Sequence, residues 1–578
     1  MTDLTSGPAF ESRVKSLLDR NHATRSYNAH IPKNTASNEI STQWTSARPL
    51  LNDHGAPTIP SPEESQQLLD RFLFYLGVSQ QFFDPRTFSD CMTLLFQNEE
   101  TRENQMRTTW FTEYLLVMAM AKLIDVEDPS FQPPGADLFA EAMRRLPRLY
   151  QLGEEGVIAV EILTLITTYL QWCDRKHDAY LYIGLALRLA IALGCDKPPK
   201  EQCCLPSKSA HRVRLWWTVY MLDRRLSSSL GLAAGADERQ LHAELPHNAI
   251  GFQSPIPLSI NVRIARATDD IMSCLYGNAC TTQMELVHKI QAILHSLYDI
   301  GRSFPPALVL DFSRPPQAVT RTGASLYLML FQAIILCVRP ILLQRVRQEV
   351  ERQNNQQPPQ SVPVVLARLC ETCSEAAAKS LAILYALKRQ QIIPRYGFFD
   401  LDATFSAAFV LVMMGFVDKA QDRPPAALDQ AFEILRFLSR AGNLAAERRL
   451  QDITHSCLHV WSNFALERNR QHAETAQGSR SAGASDIRLP QSPPPPQRST
   501  VAAEGWTNDT DESRLLEPWM HPDANNTTFD MQGDWNLDLS VEAEEIYSSF
   551  FDPSMPLTGV DHSDWQEIEK IFDRQNGD

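Results

Sequence analysis

The cysteines are the side chains whose type and spacing best suit metal chemistry. Cys370 and Cys373 form a C-x-x-C pair, and Cys203 and Cys204 are adjacent. A structural zinc site takes about four ligands, which commonly come from two such pairs, and the chain has no second C-x-x-C. We therefore predict that Cys370 and Cys373 are packing residues on the face of one helix, and that this chain binds no metal or other cofactor of its own.

Sequence signatures of catalytic and phosphate-binding loops are missing as well. The chain has no G-x-G-x-x-G, G-x-x-x-x-G-K-[ST], H-E-x-x-H or G-x-S-x-G sequence. His242 and His247 lie close together, but two histidines at that spacing do not make a site. We predict that the protein is not an enzyme.

One segment, HRVRLWWTVYMLDRRLSSSLG at 211–231, combines basic, aromatic and aliphatic side chains. In a nucleic-acid-binding helix, tryptophans stack on bases and arginines contact phosphates. The alternative is a buried helix whose Asp223 pairs with a nearby arginine. The apolar stripe of Leu215, Val219, Leu222 and Leu226 favours burial. The arginines predicted at the rims of this stripe are Arg212, Arg214, Arg224 and Arg225.

Helical periodicity extends over most of residues 61–470. Ser61 and Pro62 form a helix start, with serine as the N-cap and proline at the first helical position. Apolar residues then recur with the helical period from Leu68 to Leu76. Further helices are predicted at 110–125, 136–150, 155–173, 178–194, 208–229, 264–300, 317–351, 362–389, 402–420, 424–443 and 447–470. The predicted fold class is all-α, a large irregular multi-helix domain.

Membrane and export signals are not expected. The first residues lack a basic region followed by an apolar stretch. The best apolar run, 406–417, is shorter than the roughly 18 residues that cross a bilayer. We expect an intracellular protein with no membrane partner.

The negative charge is concentrated at the C-terminal end. The chain has 578 residues and a net charge of −15, and residues 501–578 hold 19 acidic and 3 basic residues. The rest is therefore close to neutral, which does not favour phosphate contacts. Residues 1–60 are predicted to be mostly disordered with a short heptad fragment, 471–505 to be a Pro/Ser-rich linker, and 506–578 to be an acidic-aromatic interaction tail.

The tail has the composition of an activation segment, because interspersed acids keep apolar groups solvated and accessible. Asp564 and Glu567 have capping-box spacing, which favours a short helix on a partner. The alternative is that the tail folds back and covers an apolar patch of the body. The apolar residues assigned to this predicted activation tail are Trp535, Leu537, Leu539, Ile546, Phe550, Phe551, Trp565, Ile568 and Phe572.

The 211–231 segment and its neighbours resemble a known signature. Arg-Leu-Trp-Trp at 214–217, followed by Asp-Arg at 223–224, is similar to the pattern of the fungal-specific transcription factor domain, also called the middle homology or xylanolytic-activator regulatory domain, of Zn2Cys6 regulators. The resemblance covers about residues 65–470, with Cys195-Asp196 standing where the family usually has Leu-His. Its signature residues are Gly184, Arg188, Gly194, Arg214, Leu215, Trp216, Trp217, Asp223, Arg224, Ser227, Gly231, Pro246, Arg339 and Pro340.

This resemblance implies a nuclear regulator of RNA polymerase II genes. Its helical middle domain would regulate and form homo- or heterodimers, and its tail would recruit coactivator or mediator-type proteins. DNA-binding members hold two zinc ions with six cysteines, whereas the first cysteine here is Cys91. Zinc and DNA contact are therefore expected only through an upstream cluster or a partner. The alternative is a coregulator or ligand-sensing module without a direct role in activation.

Overall fold

The computed structural model describes residues 58–461 except 77–78, 126–131, 238–242, 277–282, 313–317, 356–363 and 419–422, and only the backbone of 283–291 and 364–366. The predictions made for the heptad fragment, the Pro/Ser-rich linker and the acidic tail lie outside the described residues.

The described part of the chain is helical and contains no β-strand, which confirms the predicted all-α fold class. The helices are α1 (Pro62–Leu76), α2 (Pro85–Gln97), α3 (Glu99–Met106), α4 (Thr109–Ile124), α5 (Ala136–Arg145), α6 (Leu152–Glu155), α7 (Val157–Trp172), α8 (Lys176–Ala192), α9 (Pro206–Leu230), α10 (Ile256–Ile271), α11 (Gln283–Arg302), α12 (Arg321–Asn354), α13 (Val364–Arg389), α14 (Phe398–Val417), α15 (Ala426–Arg440) and α16 (Leu444–Val460).

Helix α1 begins as predicted. The Oγ atom of Ser61 accepts a hydrogen bond from the backbone N–H of Glu64 at 3.1 Å, and Pro62 is the first helical residue. The apolar side of the helix, which includes Leu69 and Phe72, is buried. The cap satisfies one of the unpaired N–H groups of the first turn, so the chain enters the helix at this serine.

One predicted helix is wrong, and two helices were not predicted. The single helix expected at 264–300 is two helices, because α10 ends at Ile271, a π-helical segment follows at Met272–Tyr276, and α11 begins at Gln283. Helices α2 and α3 were not predicted. Helix α3 buries no side chain, so it has no apolar stripe that periodicity would detect, and it depends on a capping box between Asn98 and Thr101.

The helices surround two apolar cores. The first is built mainly from α1 to α9, and the second mainly from α11 to α16. Helix α10 belongs to both, because Leu258 and Val262 pack into the first core, whereas Ile260 and Ile264 pack into the second. Residues two apart lie on different sides of a helix, so α10 is apolar on two sides and joins the cores.

Helices α12 and α14 are long and apolar enough to cross a membrane, contrary to the expectation from the length of uninterrupted apolar runs. Within the protein, however, 83% and 72% of their most apolar windows are buried. Core helices of water-soluble proteins meet the same criterion, so these two helices are weak evidence for a membrane span.

Candidate functional site

Helix α9, which carries the arginine-aromatic signature, lies inside the first core. Trp216 and Trp217 are 0% and 1% exposed, so neither ring is available to stack on a base. The interpretation as a buried helix is therefore confirmed. The prediction that Arg214 and Arg224 lie at the rims of the stripe is wrong, because their exposure is only 3% and 2%.

These buried arginines are held by specific partners. Nη1 of Arg224 donates to Oδ2 of Asp223 at 2.9 Å, which is the predicted pairing. The same carboxylate accepts the N–H of Gly235 at 2.9 Å, and Nη2 of Arg224 donates to the carbonyl of Ala236 at 2.6 Å. Burial raises the pKa of Asp223, although Gly235 and Arg224 act in the opposite direction. The Asp-Arg pair thus fixes the chain that follows α9.

The aromatic half of the signature holds a second part of that chain. Nε1 of Trp217 donates to the carbonyl of Glu244 at 2.8 Å, and Nη2 of Arg214 donates to the carbonyl of His247 at 2.8 Å. Between these attachment points, Pro246 is buried. The signature residues therefore connect α9 to the segment that leads into α10.

Two of the three signature glycines follow the ends of helices. Gly194 follows α8 with φ 70°, and Gly231 follows α9 with φ 68°. In this left-handed region a Cβ atom is unfavourable, so glycine is the residue that fits. Of the other signature residues, Gly184 and the exposed Arg188 are on α8, Leu215 and Ser227 are buried on α9, and Arg339 and Pro340 are on α12.

A cavity of about 170 Å³ lies between the two cores. Its lining comes from α1, the turn after it, α7, α8, α9, α10, α12 and α14. Among the signature residues, Arg224 and Arg339 line it. The other signature residues do not line it.

The charged side chains that line the cavity are Lys176, Arg224, Arg225, Arg321, Arg339, Asp400 and Asp402. Arg321 and Asp400 form a two-fold hydrogen-bonded ion pair, with Nη1–Oδ1 2.7 Å and Nη2–Oδ2 2.8 Å. Asp402 lies 4.0 Å from Nζ of Lys176 and 3.7 Å from Nη2 of Arg449. The lining thus has more positive than negative side chains.

Arg225 lines the cavity, and its hydrogen bonds are made with neutral groups. Its Nη2 atom donates to Oδ1 of Asn261 at 2.6 Å and lies 3.0 Å from Sδ of Met329. Nδ2 of Asn261 donates to the carbonyl of Ser79 at 2.9 Å, which orients Oδ1 toward the guanidinium. Burial lowers the pKa of Arg225 to about 10.

Cys370 and Cys373 lie on α13, and both are buried, so the prediction of helix-face cysteines is confirmed. Burial raises the pKa of the Cys370 thiol to about 12 and that of Cys373 further still. Thiols in such surroundings are poor nucleophiles. Within the described ranges, no cluster of three or more His, Cys, Asp or Glu residues is suited to a metal ion.

Sequence reasoning did not identify the charged lining of the cavity. Arg225 was placed at the rim of a stripe without a role, and Lys176, Asn261 and the Arg321–Asp400 pair were not singled out. A signal was present in Asp400 and Asp402, which interrupt the apolar run FFDLDATF at 398–405. A carboxylate in an apolar helix needs a partner, but the sequence does not show which one.

The signature residues lie on a buried helix and hold the segment that follows it. Residues 87–301 match the family model of the fungal specific transcription factor domain. This region includes α9 and the chain that α9 holds. Residues 87–301 are therefore similar to a domain of fungal transcription regulators, which agrees with the resemblance seen in the sequence.

Several curated proteins to which this chain is similar are named as transcription regulators. An uncharacterized transcriptional regulatory protein of Schizosaccharomyces pombe is 25% identical, over 67% of this chain and 49% of its own length. The thiamine repressible genes regulatory protein thi1 of the same organism is 24% identical, over 68% of this chain and 50% of its own. Transcription factor FBD3 of Gibberella moniliformis is 28% identical over 32% of this chain and 25% of its own.

This chain therefore spans about half the length of the first two relatives. No solved structure matches it.

Proposed function

We propose that this protein is a non-enzymatic regulator of RNA polymerase II transcription that acts in the nucleus. The observation that carries the proposal is the match of residues 87–301 to the fungal specific transcription factor domain. It is supported by the signature residues on α9, which are buried and hold the segment that follows that helix. The helical body would hold the regulatory function and a homo- or heterodimer contact.

The tail at 506–578 would recruit coactivator or mediator-type proteins. Its support is the sequence: aromatic and aliphatic residues alternate with carboxylates, and Asp564 with Glu567 favours a short helix that presents Trp565, Ile568 and Phe572 on one side. An amphipathic helix of this kind binds in a hydrophobic groove of a partner.

DNA contact would require groups that this sequence does not supply. The six-cysteine zinc cluster of the family is not found in it, since the first cysteine is Cys91 on α2. DNA binding and zinc would therefore depend on a further module or on a dimer partner. A mobility-shift experiment on this chain, with and without a nuclear extract from the source organism, would show whether a partner brings the DNA.

The activation role is tested by tethering. Residues 471–578 are fused to an unrelated DNA-binding domain, and the output of a reporter gene is measured. We expect output well above that of the DNA-binding domain alone. Output no higher than the background would refute the activation role of the tail, while the family assignment of the body would stand.

The alternative function is a coregulator or sensor whose helical body binds a ligand and has no direct role in activation. The cavity between the two cores favours this candidate. It predicts that a fusion of the tail is inactive and that the body alone associates with other regulators.

A further inference from the structure

The lining of the cavity between the two cores has more positive than negative side chains. Five lysine or arginine side chains and two aspartates line it. One aspartate, Asp400, is engaged by Arg321 in a two-fold ion pair. The other, Asp402, is shared at 3.7 to 4.0 Å between Lys176 and Arg449, which is too long for a hydrogen bond. Lys176 is nevertheless 8% exposed, so its charge is largely removed from water.

Among the described residues that line the cavity, Arg225 best meets the requirements for binding an anion. Its hydrogen bonds, to Asn261 and Met329, are both made by Nη2. No described side chain bonds to its Nε or Nη1, the side chain is only partly buried, and Arg225 lines the cavity. The guanidinium is thus held in place on one nitrogen and keeps donors available on the others.

A cation in this position is costly without a counter-charge. Moving a charge out of water is unfavourable unless the charge is paired and hydrogen-bonded. Burial lowers the pKa of Arg225, and no carboxylate of the described chain opposes this effect. An anion that enters the cavity would supply the missing charge, and a guanidinium binds carboxylates and phosphates through two parallel hydrogen bonds.

The walls of the cavity indicate the rest of the ligand. Phe398, Phe399, Phe405 and Phe409 of α14 line one side, and the guanidinium of Arg225 lies 5.8 Å from the ring centre of Phe399. An apolar cavity of about 150 Å³ accommodates benzene, so about 170 Å³ suits a compact ring or a branched chain with one anionic group.

We propose that this cavity binds a small organic anion, a monocarboxylate or phosphate monoester with a compact apolar body, whose anionic group is bound by Arg225. The ligand would contact α9 of the first core together with α12 and α14 of the second. Binding would therefore link the two halves of the body, which is what an effector of a regulatory domain must do. This site goes beyond the proposed function and does not involve the tail, so either can fail separately.

The experiment is calorimetric titration of the full chain with three probes of one shape: benzoate, phenyl phosphate and neutral benzamide. The wild type is compared with Arg225→Gln and with Asn261→Asp. The second change places a carboxylate where Arg225 already donates, and so compensates the cation without removing it. Arg212→Gln is the control, because Arg212 is on the same helix but does not line the cavity. Circular dichroism verifies that each variant is folded.

We expect one or both anions to bind the wild type and the Arg212→Gln variant at least about tenfold more tightly than benzamide, as a charge-assisted hydrogen bond implies. The stronger of the two anions distinguishes carboxylate from phosphate recognition. Arg225→Gln and Asn261→Asp should each lose this preference. The proposal is overturned if benzamide binds as well as the anions, if both variants keep the preference, or if folded wild type binds none of the probes at millimolar concentration.

Discussion

The guanidinium of Arg321 and the carboxylate of Asp400, 79 positions apart in the chain, form two hydrogen bonds of 2.7 and 2.8 Å. Arg321 is the first residue of α12, and Asp400 lies in the first turn of α14. Both side chains are buried, at 8% and 1% exposure. The pair therefore sets how the beginnings of these two core helices meet at the cavity.

Removing one partner of the Arg321–Asp400 pair should destabilise the protein far more than removing both. Arg321→Met leaves Asp400 buried without its counter-charge, and we expect a loss of about 3–5 kcal/mol in the free energy of unfolding. The double variant Arg321→Met/Asp400→Leu should recover most of this loss, because the uncompensated charge is gone. Urea denaturation followed by circular dichroism measures both values. A double variant no more stable than the single one would contradict this account.

The buried carboxyl of Glu113 on α4 should make the protein less stable as the pH rises. Burial, and to a smaller extent Glu161, raises the pKa of Glu113 well above its ordinary value of 4.5. Below pH 4.5 the carboxyl is protonated in both the folded and the unfolded state. Above it the unfolded state ionises first, so unfolding becomes more favourable until the folded-state pKa is passed.

Glu113→Gln removes this effect. We expect the variant to be more stable than the wild type at pH 7.5, with the difference growing by about 1.4 kcal/mol per pH unit above 4.5 over that window. Thermal unfolding between pH 4 and pH 8 tests this, with Glu154→Gln, a change at an exposed carboxylate, as the control for net charge. A difference that does not depend on pH would show that Glu113 does not bind the proton as described.

Substitution of Trp217 should loosen the segment that follows α9, whereas substitution of Trp216 should not. Trp217 donates its Nε1–H to the carbonyl of Glu244, whereas Nε1 of Trp216 has no hydrogen-bond partner among the described residues. Trp217→Phe should therefore cost about 1 kcal/mol more than Trp216→Phe, since both changes remove a similar volume. Hydrogen exchange should also rise at 243–247 in Trp217→Phe alone. Equal exchange in the two variants would show that this bond does not hold the segment.

The predicted helix of the tail gives a matched pair of reporter experiments. In the tethered fusion, alanine at Trp565, Ile568 and Phe572 should lower reporter output severalfold, because these residues form the proposed docking face. Alanine at Gln566 and Lys570, on the other side of the same helix, should leave most of the output. Equal loss in both fusions would argue against recognition of a helical face.

Local sequence features predicted those parts of the fold that depend on neighbours along the chain. The start of α1 at Ser61 and Pro62 and the burial of α9 were both visible, since capping and apolar periodicity each need only a few consecutive residues. The break after Ile271 was not visible, because Met272 to Tyr276 continues the apolar pattern across it. The prediction that Arg214 and Arg224 lie at the rims of the apolar stripe was wrong. Both side chains are buried, because their guanidinium groups donate hydrogen bonds to carbonyls of the segment after α9.

By itself, the sequence determined the helical class, the acidic character of the tail and the resemblance to a fungal regulatory domain, because composition, period and motif are properties of the chain alone. Only the tertiary structure decided which charges face one another. Arg225 meets Asn261 36 positions later and Met329 104 positions later, and Arg321 meets Asp400 across two helices. Such pairings depend on how α9, α10, α12 and α14 pack, and so the cavity with its excess of positive charge emerged only when those helices were placed together.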